Sequence, residues 1–113
     1  MANHKIERIA SDVIKHLSNI IYTETRDELL KSITLTDCIV SKDLSIAKIY
    51  FTSIMDMEHK LIEKEVNEAS PYLRGKLAKV LEVRNIPELK FYYDETIEYA
   101  TRIERIITNI NKD

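Results

Sequence analysis

Ala69-Ser70-Pro71-Tyr72-Leu73-Arg74 is the stretch on which the folding of this chain of 113 residues turns. It lies inside a helical stripe, from Asp56 to about Val83, in which Leu61, Ile62, Val66, Ala69, Leu73, Leu77, Val80 and Leu81 recur at helical spacing. Pro71 interrupts that stripe, because it has no N–H for the Asn67 carbonyl and its ring crowds the preceding turn. Ser70 is a good cap residue, and Pro71 suits the first position of a new helix. The spacing predicts two helices meeting at Ala69-Ser70-Pro71, or one sharply kinked helix.

Upstream, the texture from Ser32 is that of strands. Ile33 to Val40 is β-branched and partly alternating, Ile46 to Thr52 follows, and the polar Ser41-Lys42-Asp43-Leu44-Ser45 joins them as a hairpin. Before the hairpin, Ile6, Ile9, Ala10, Val13, Ile14, Leu17, Ile20 and Ile21 mark an amphipathic helix of about five turns, with Asn3 as its candidate cap. Downstream, Ile86 to Tyr93 reads as a strand with Pro87 at its start, where no ladder donor is lost. Asp94 is placed to cap a last helix carrying Ile97, Ala100, Ile103, Ile106, Ile107 and Ile110. The order α-β-β-α-kink-α-β-α predicts one α+β domain over residues 1–113, a small sheet with helices packed against it.

Composition removes several function classes. Hydrophobic residues at 44% and charged residues at 32% fit a water-soluble domain, and no apolar run exceeds three residues, so neither a membrane span nor a signal-peptide core is expected. A cytoplasmic protein follows as the expectation. A single glycine excludes the glycine-rich phosphate loops, each of which needs at least two. A single cysteine, Cys38, excludes an internal disulfide and a thiolate zinc site. His4, His16 and His59 have no ligand spacing, so no metal and no cofactor are expected. Glu63, Glu65 and Glu68 read as a solvated helix face with Lys60 and Lys64 at pairing distance, and no nucleophile motif is present. The chain is therefore not expected to be an enzyme.

The net charge of −2 gives no global support for nucleic-acid binding, but the charge is unevenly spread. Residues 1–55 balance at seven basic and seven acidic, 56–69 carry two against five, 70–92 five against two, and 93–113 three against five. The one net-basic stretch begins at the kink and holds Arg74, Lys76, Lys79, Arg84 and Lys90. A helix starting at Ser70-Pro71 presents unpaired N–H groups to a phosphate, and basic side chains after it can follow a nucleic-acid backbone. Tyr72 and Tyr92 can stack on bases if exposed, whereas Phe91, Tyr93 and Tyr99 read as core or sheet-face aromatics. The competing reading leaves Ser70 as a cap only and the Lys and Arg residues as a solvated face.

Taken as an ordered set, four pieces of this chain resemble the ribosome-binding factor A family over nearly its whole length. They are Ile6-Glu7-Arg8-Ile9, the hairpin from Val40 to Tyr50, Ala69-Ser70-Pro71-Tyr72-Leu73-Arg74, and Arg84-x-x-Pro87-Glu88-Leu89-x-Phe91-x-x-Asp94. The resemblance implies a type II KH-like fold in which an interhelical Ala-x-Gly kink stands where typical KH domains carry GxxG. Here Pro71 replaces that glycine, which fixes φ and leaves one fewer N–H for RNA. It also implies a ribosome assembly factor that binds the immature small (30S) subunit and its 16S rRNA in late maturation and rRNA processing, and that supports growth in the cold. Other assembly factors would be further partners, and a monomer is expected. The RNA-binding residues expected on this reading are Ser70, Pro71, Arg74, Lys76, Lys79 and Arg84. The alternative class is a protein-interaction module that docks a partner on its sheet or on the acidic helix from Asp56 to Glu68, with RNA contact secondary.

Overall fold

The computed structural model describes residues 2–96, in the order α1 (Ala2–Glu24), α2 (Glu28–Lys31), β1 (Ile33–Val40), β2 (Ile46–Ser53), α3 (His59–Glu68), α4 (Ser70–Ala78) and β3 (Glu88–Tyr93). The expected C-terminal helix lies outside these residues. Its expected cap does not: the Asp94 carboxylate accepts the Thr96 amide at 3.0 Å and the Thr36 hydroxyl at 2.6 Å. Among the described helices, none is long and apolar enough to cross a membrane.

Helix α1 buries the predicted stripe, with Val13 and Leu17 fully enclosed. It begins at Ala2, so Asn3 falls within its first turn and is not the cap. Helix α2 went unread in the sequence. Its signal is Asp27, whose side chain accepts the Leu29 and Leu30 amides and so nucleates a single turn that sends Leu29 and Leu30 into the core.

The sheet has the order β1-β2-β3, with β1 antiparallel and β3 parallel to the central β2. Strand β1 contains a bulge between Leu35 and Asp37, which leaves Thr36 unopposed. The extra residue resets the alternation, so that Ile33 and Leu35 before it and Cys38 and Val40 after it all face inwards. Ala47, Ile49 and Phe51 of β2 and Leu89 and Phe91 of β3 complete the inner face. Phe51 packs edge-on against both Phe91 and Tyr93, at centroid distances of 6.5 and 5.3 Å.

The β1–β2 turn is held by Asp43, whose carboxylate accepts the Ser41 hydroxyl and both the amide and the hydroxyl of Ser45. Those bonds keep its carboxyl down at about 2. They also force Leu44 into the left-handed region, with φ 63°.

Of the two arrangements open at the kink, the chain adopts two helices. They are separated by the single residue Ala69, at φ −85° and ψ −3°. Helix α4 ends at Ala78, five residues short of the expected Val83. The Val80 and Leu81 amides both fold back onto the Leu77 carbonyl, so a turn rather than further helix buries Leu81. Pro87 is fully buried immediately before β3, where no ladder bond requires its N–H.

Cys38 sits on the inner face of β1, and burial, with the nearby Asp37 charge, pushes its thiol up to about 12 from an ordinary 9.0. A raised thiol pKa contributes stability in full below the unfolded value and loses it as pH rises through the folded one. At about pH 8 the native protein should therefore resist iodoacetamide, and the same protein in urea should be alkylated at Cys38, as read by mass spectrometry.

Candidate nucleic-acid interface

Strand β3 lies at an edge of the sheet, so the main-chain groups of Leu89, Phe91 and Tyr93 that point away from β2 need partners. Three side chains on the α3–α4 pair supply them. The Glu63 carboxylate accepts the Tyr93 amide at 2.9 Å. The Asn67 amide both accepts the Phe91 N–H and donates to the Phe91 carbonyl, each at 2.8 Å. The Ser70 hydroxyl donates to the Leu89 carbonyl at 2.6 Å. Positions 63, 67 and 70 share one helix face, and the kink keeps Ser70 aligned with the strand as the axis changes direction.

This arrangement corrects two sequence-based expectations. Ser70 is not the cap of α4: Ala69 holds that position, and Ser70, only 9% exposed, is the first helical residue with its hydroxyl spent on β3. Moving the helix start by one residue turns its side chain towards the sheet edge, where its hydroxyl bonds β3 at the wall of a groove. Glu63 likewise does not belong to the solvated face, although Glu65 and Glu68 do.

The remaining expected residues fall into separate groups. Pro71 is exposed and stands in the first turn of α4, where a missing N–H breaks no helical bond. Arg74 is exposed but grips the Ile86 carbonyl through Nε (3.2 Å) and Nη2 (2.7 Å), bracing the segment from α4 to β3. Lys76 points elsewhere: its Nζ lies 3.7 Å from Glu24 and 5.7 Å above the Tyr72 ring. Tyr72, 47% exposed, donates its hydroxyl to the Glu24 carbonyl, which ties α4 to the end of α1. Lys79 and Arg84 are exposed on either side of the segment 80–83.

Two grooves lie near these residues, and of the four cations only Arg74 lines one of them. The first, about 680 Å³, runs along β3 past Pro71 and Arg74, and includes Lys90 and Tyr92 as well as Glu63 and Glu88. The second, about 400 Å³, lies between segment 80–83 and α1, where Lys5, Arg8 and His16 face Asp12 and Glu82. The structure thus brings Lys5 and Arg8 beside the segment bounded by Lys79 and Arg84. Sequence counting missed them because residues 1–55 balance in charge, and only packing of α1 against the post-α4 turn places Lys5 and Arg8, together with Asp12, beside that segment.

A third cavity, about 620 Å³, lies between the end of α1 and β1, with Lys31 the one charged residue among the apolar and hydroxyl side chains that line it. Among the described residues no cluster of His, Cys, Asp or Glu could hold a metal ion. Both grooves mix the two signs of charge, with Arg74 and Lys90 against Glu63 and Glu88 in the first and Lys5 and Arg8 against Asp12 and Glu82 in the second.

Asn67→Ala should cost about 2 kcal/mol, because it removes two bonds to Phe91 and leaves both main-chain groups without a protein partner. Ser70→Ala should cost about 1 kcal/mol. Urea midpoints at unchanged slope would measure both losses. Values near zero would mean that water replaces the helix side chains at the β3 edge.

The family model described as Ribosome-binding factor A matches residues 5–107. Ribosome-binding factor A of Pelobacter propionicus is 44% identical over 105 residues, covering 92% of this chain and 86% of that protein. The Streptococcus mutans protein of the same name is 32% identical over 114 residues, covering 99% and 98%. Among solved structures, the crystal structure of ribosome-binding factor A from Thermus thermophilus superposes at TM-score 0.68 and 22% identity, over 78% of this chain and 94% of that one. A Thermus thermophilus ribosome binding factor A homology model fitted into the cryo-EM map of a 30S complex gives TM-score 0.62 at 22% identity, over 76% and 92%. These likenesses support the KH-like α+β fold, and with matches over nearly its full length the chain belongs to the ribosome-binding factor A family.

Proposed function

We propose that this protein is a non-catalytic assembly factor of the small ribosomal subunit. It acts in the cytoplasm as a monomeric, single KH-like RNA-binding domain. Its target is the immature 30S particle, where it contacts 16S rRNA during late maturation and rRNA processing, alongside other assembly factors, and supports growth in the cold. The observation that carries this reading is the set of exposed cations after the kink, Arg74, Lys79 and Arg84, with Lys5 and Arg8 beside segment 80–83 in a groove that Asp12 and Glu82 also line. Phosphate contacts of this kind position a protein on RNA without reading sequence. Lys90, with Arg74, adds a cation in the groove along β3, which Glu63 and Glu88 also line.

The second reading is protein docking on α3. Leu61 of that helix is 43% exposed, beside the exposed Glu65 and Glu68. Salt separates the two, because phosphate contacts release counterions and apolar docking does not.

The test is co-sedimentation with separated small and large subunits at low and moderate salt. Lys79→Glu/Arg84→Glu is the informative variant, since Arg74→Glu would also release Ile86. Selective binding to the small subunit, weakened in the variant and with a salt slope lower by about two phosphate contacts, is the expected result. Unchanged affinity and slope would reject this surface, and salt-independent binding would favour docking on α3.

A further inference from the structure

The face of the sheet opposite the core has an organisation that the kink and its cations do not use. Parallel pairing of β2 and β3 places Tyr50 beside Tyr92 and Lys48 beside Lys90. The two tyrosine rings lie 5.7 Å apart at 32° and are partly exposed. Their hydroxyls have no partner among the described residues, unlike those of Tyr72 and Tyr93, which bond to main chain. Ile39 of β1, 53% exposed, extends the lysine row, and Asp37 extends the tyrosine row.

Like charges directly opposed across neighbouring strands repel, and among the described residues neither Lys48 nor Lys90 forms an ion pair. The nearby Glu88 lies in the next row, opposite Ile46. An anion placed over the lysine row would relieve that repulsion. The lysine and tyrosine rows are two residues apart along each strand, about 6.6 Å. That is close to the step between successive nucleotides of an extended strand. Lys90 and Tyr92 also line the groove along β3, so one strand can cross the sheet edge from the groove onto this face.

We infer that this face is a base-stacking platform for single-stranded RNA, with Tyr50 and Tyr92 under the bases and Lys48 and Lys90 at the phosphates. The inference rests on the RNA-binding reading above and adds a second, base-contacting surface to it. Stacking on aromatic rings tolerates any base, so the platform would hold an unpaired segment without selecting its sequence.

The test measures binding of the full chain to fluorescein-labelled oligouridine and to an abasic strand of equal length, each over a range of salt. Tyr50→Leu/Tyr92→Leu should weaken oligouridine binding about tenfold or more, leaving its salt slope and the abasic strand's affinity unchanged. Tyr50→Phe/Tyr92→Phe, which keeps both rings, should retain the wild-type affinity, and Lys48→Gln/Lys90→Gln should lower the slope by about two phosphate contacts. Circular dichroism and urea midpoints check that each variant folds. If the leucine variant does not fold, the wild-type preference for oligouridine over the abasic strand decides.

The inference falls if the folded leucine variant binds as wild type does, if the abasic strand binds equally well, if neither strand binds, or if polyglutamate competes as well as oligouridine. Small-subunit co-sedimentation separates this failure from that of the broader reading. Subunit binding without oligouridine stacking rejects the platform alone, and stacking without subunit binding rejects the assembly-factor reading alone.

Discussion

The hydrogen bonding of the β3 edge by Glu63, Asn67 and Ser70 is the constraint around which the rest of this structure is arranged. A three-stranded sheet leaves two edges, and the outward main-chain groups of an edge strand need partners or remain open to another chain. Here a side-chain amide does part of the work of a fourth strand, with Asn67 giving and taking one bond at Phe91 as a neighbouring peptide would. The α3–α4 pair is also the crossover between the parallel strands β2 and β3, so it must run beside the strand that it serves. The kink follows from that geometry. Val66, Leu73 and Leu77 are fully buried while Asn67 and Ser70 bond the strand, and the break at Ala69 lets the two helices do both.

The same constraint shapes the groove. Its wall is the clamped edge, so Glu63 and Ser70 line it with polar atoms bonded to β3, beside Pro71, Lys90 and Tyr92. Arg74 divides its capacity: its fork on the Ile86 carbonyl fixes the path of the chain into β3, and its charge stays at the surface. The side chains of Lys79 and Arg84, further along, have no hydrogen bond or ion pair among the described residues.

The hairpin from Ile33 to Ser53 was legible because β-branched composition and a polar five-residue turn are local signals, and the helical stripes of α1 and α3 for the same reason. Helix α2 was missed because a single turn has no periodicity to detect, only the capping geometry of Asp27. The end of α4 was misplaced because Leu81 continues a helical spacing while being buried by a turn, and periodicity records burial without recording how the backbone achieves it. At the candidate site the basic bias of 70–92 was visible, yet Ser70 was assigned to the surface and Glu63 to solvent. Asn67 entered that reading only through the carbonyl that Pro71 fails to serve.

By itself, the sequence determined the types of α1, α3, α4 and the three strands, the break at Pro71, the lack of a glycine-rich loop motif or a cysteine pair, and the location of the net-basic stretch, since each depends on residue type and on spacing along the chain. Tertiary structure alone decided which polar residues were spent and which were left over. A helix face at 63, 67 and 70 becomes a clamp only when a strand edge lies against it, and Lys5 and Arg8 come beside segment 80–83 only when α1 packs against it. Likewise, Tyr50 and Tyr92 lie 42 positions apart in the chain and meet only through the parallel register of β2 and β3. Hydrogen bonds and charge contacts act over a few ångströms of space, and only the fold specifies which distant residues come within that range.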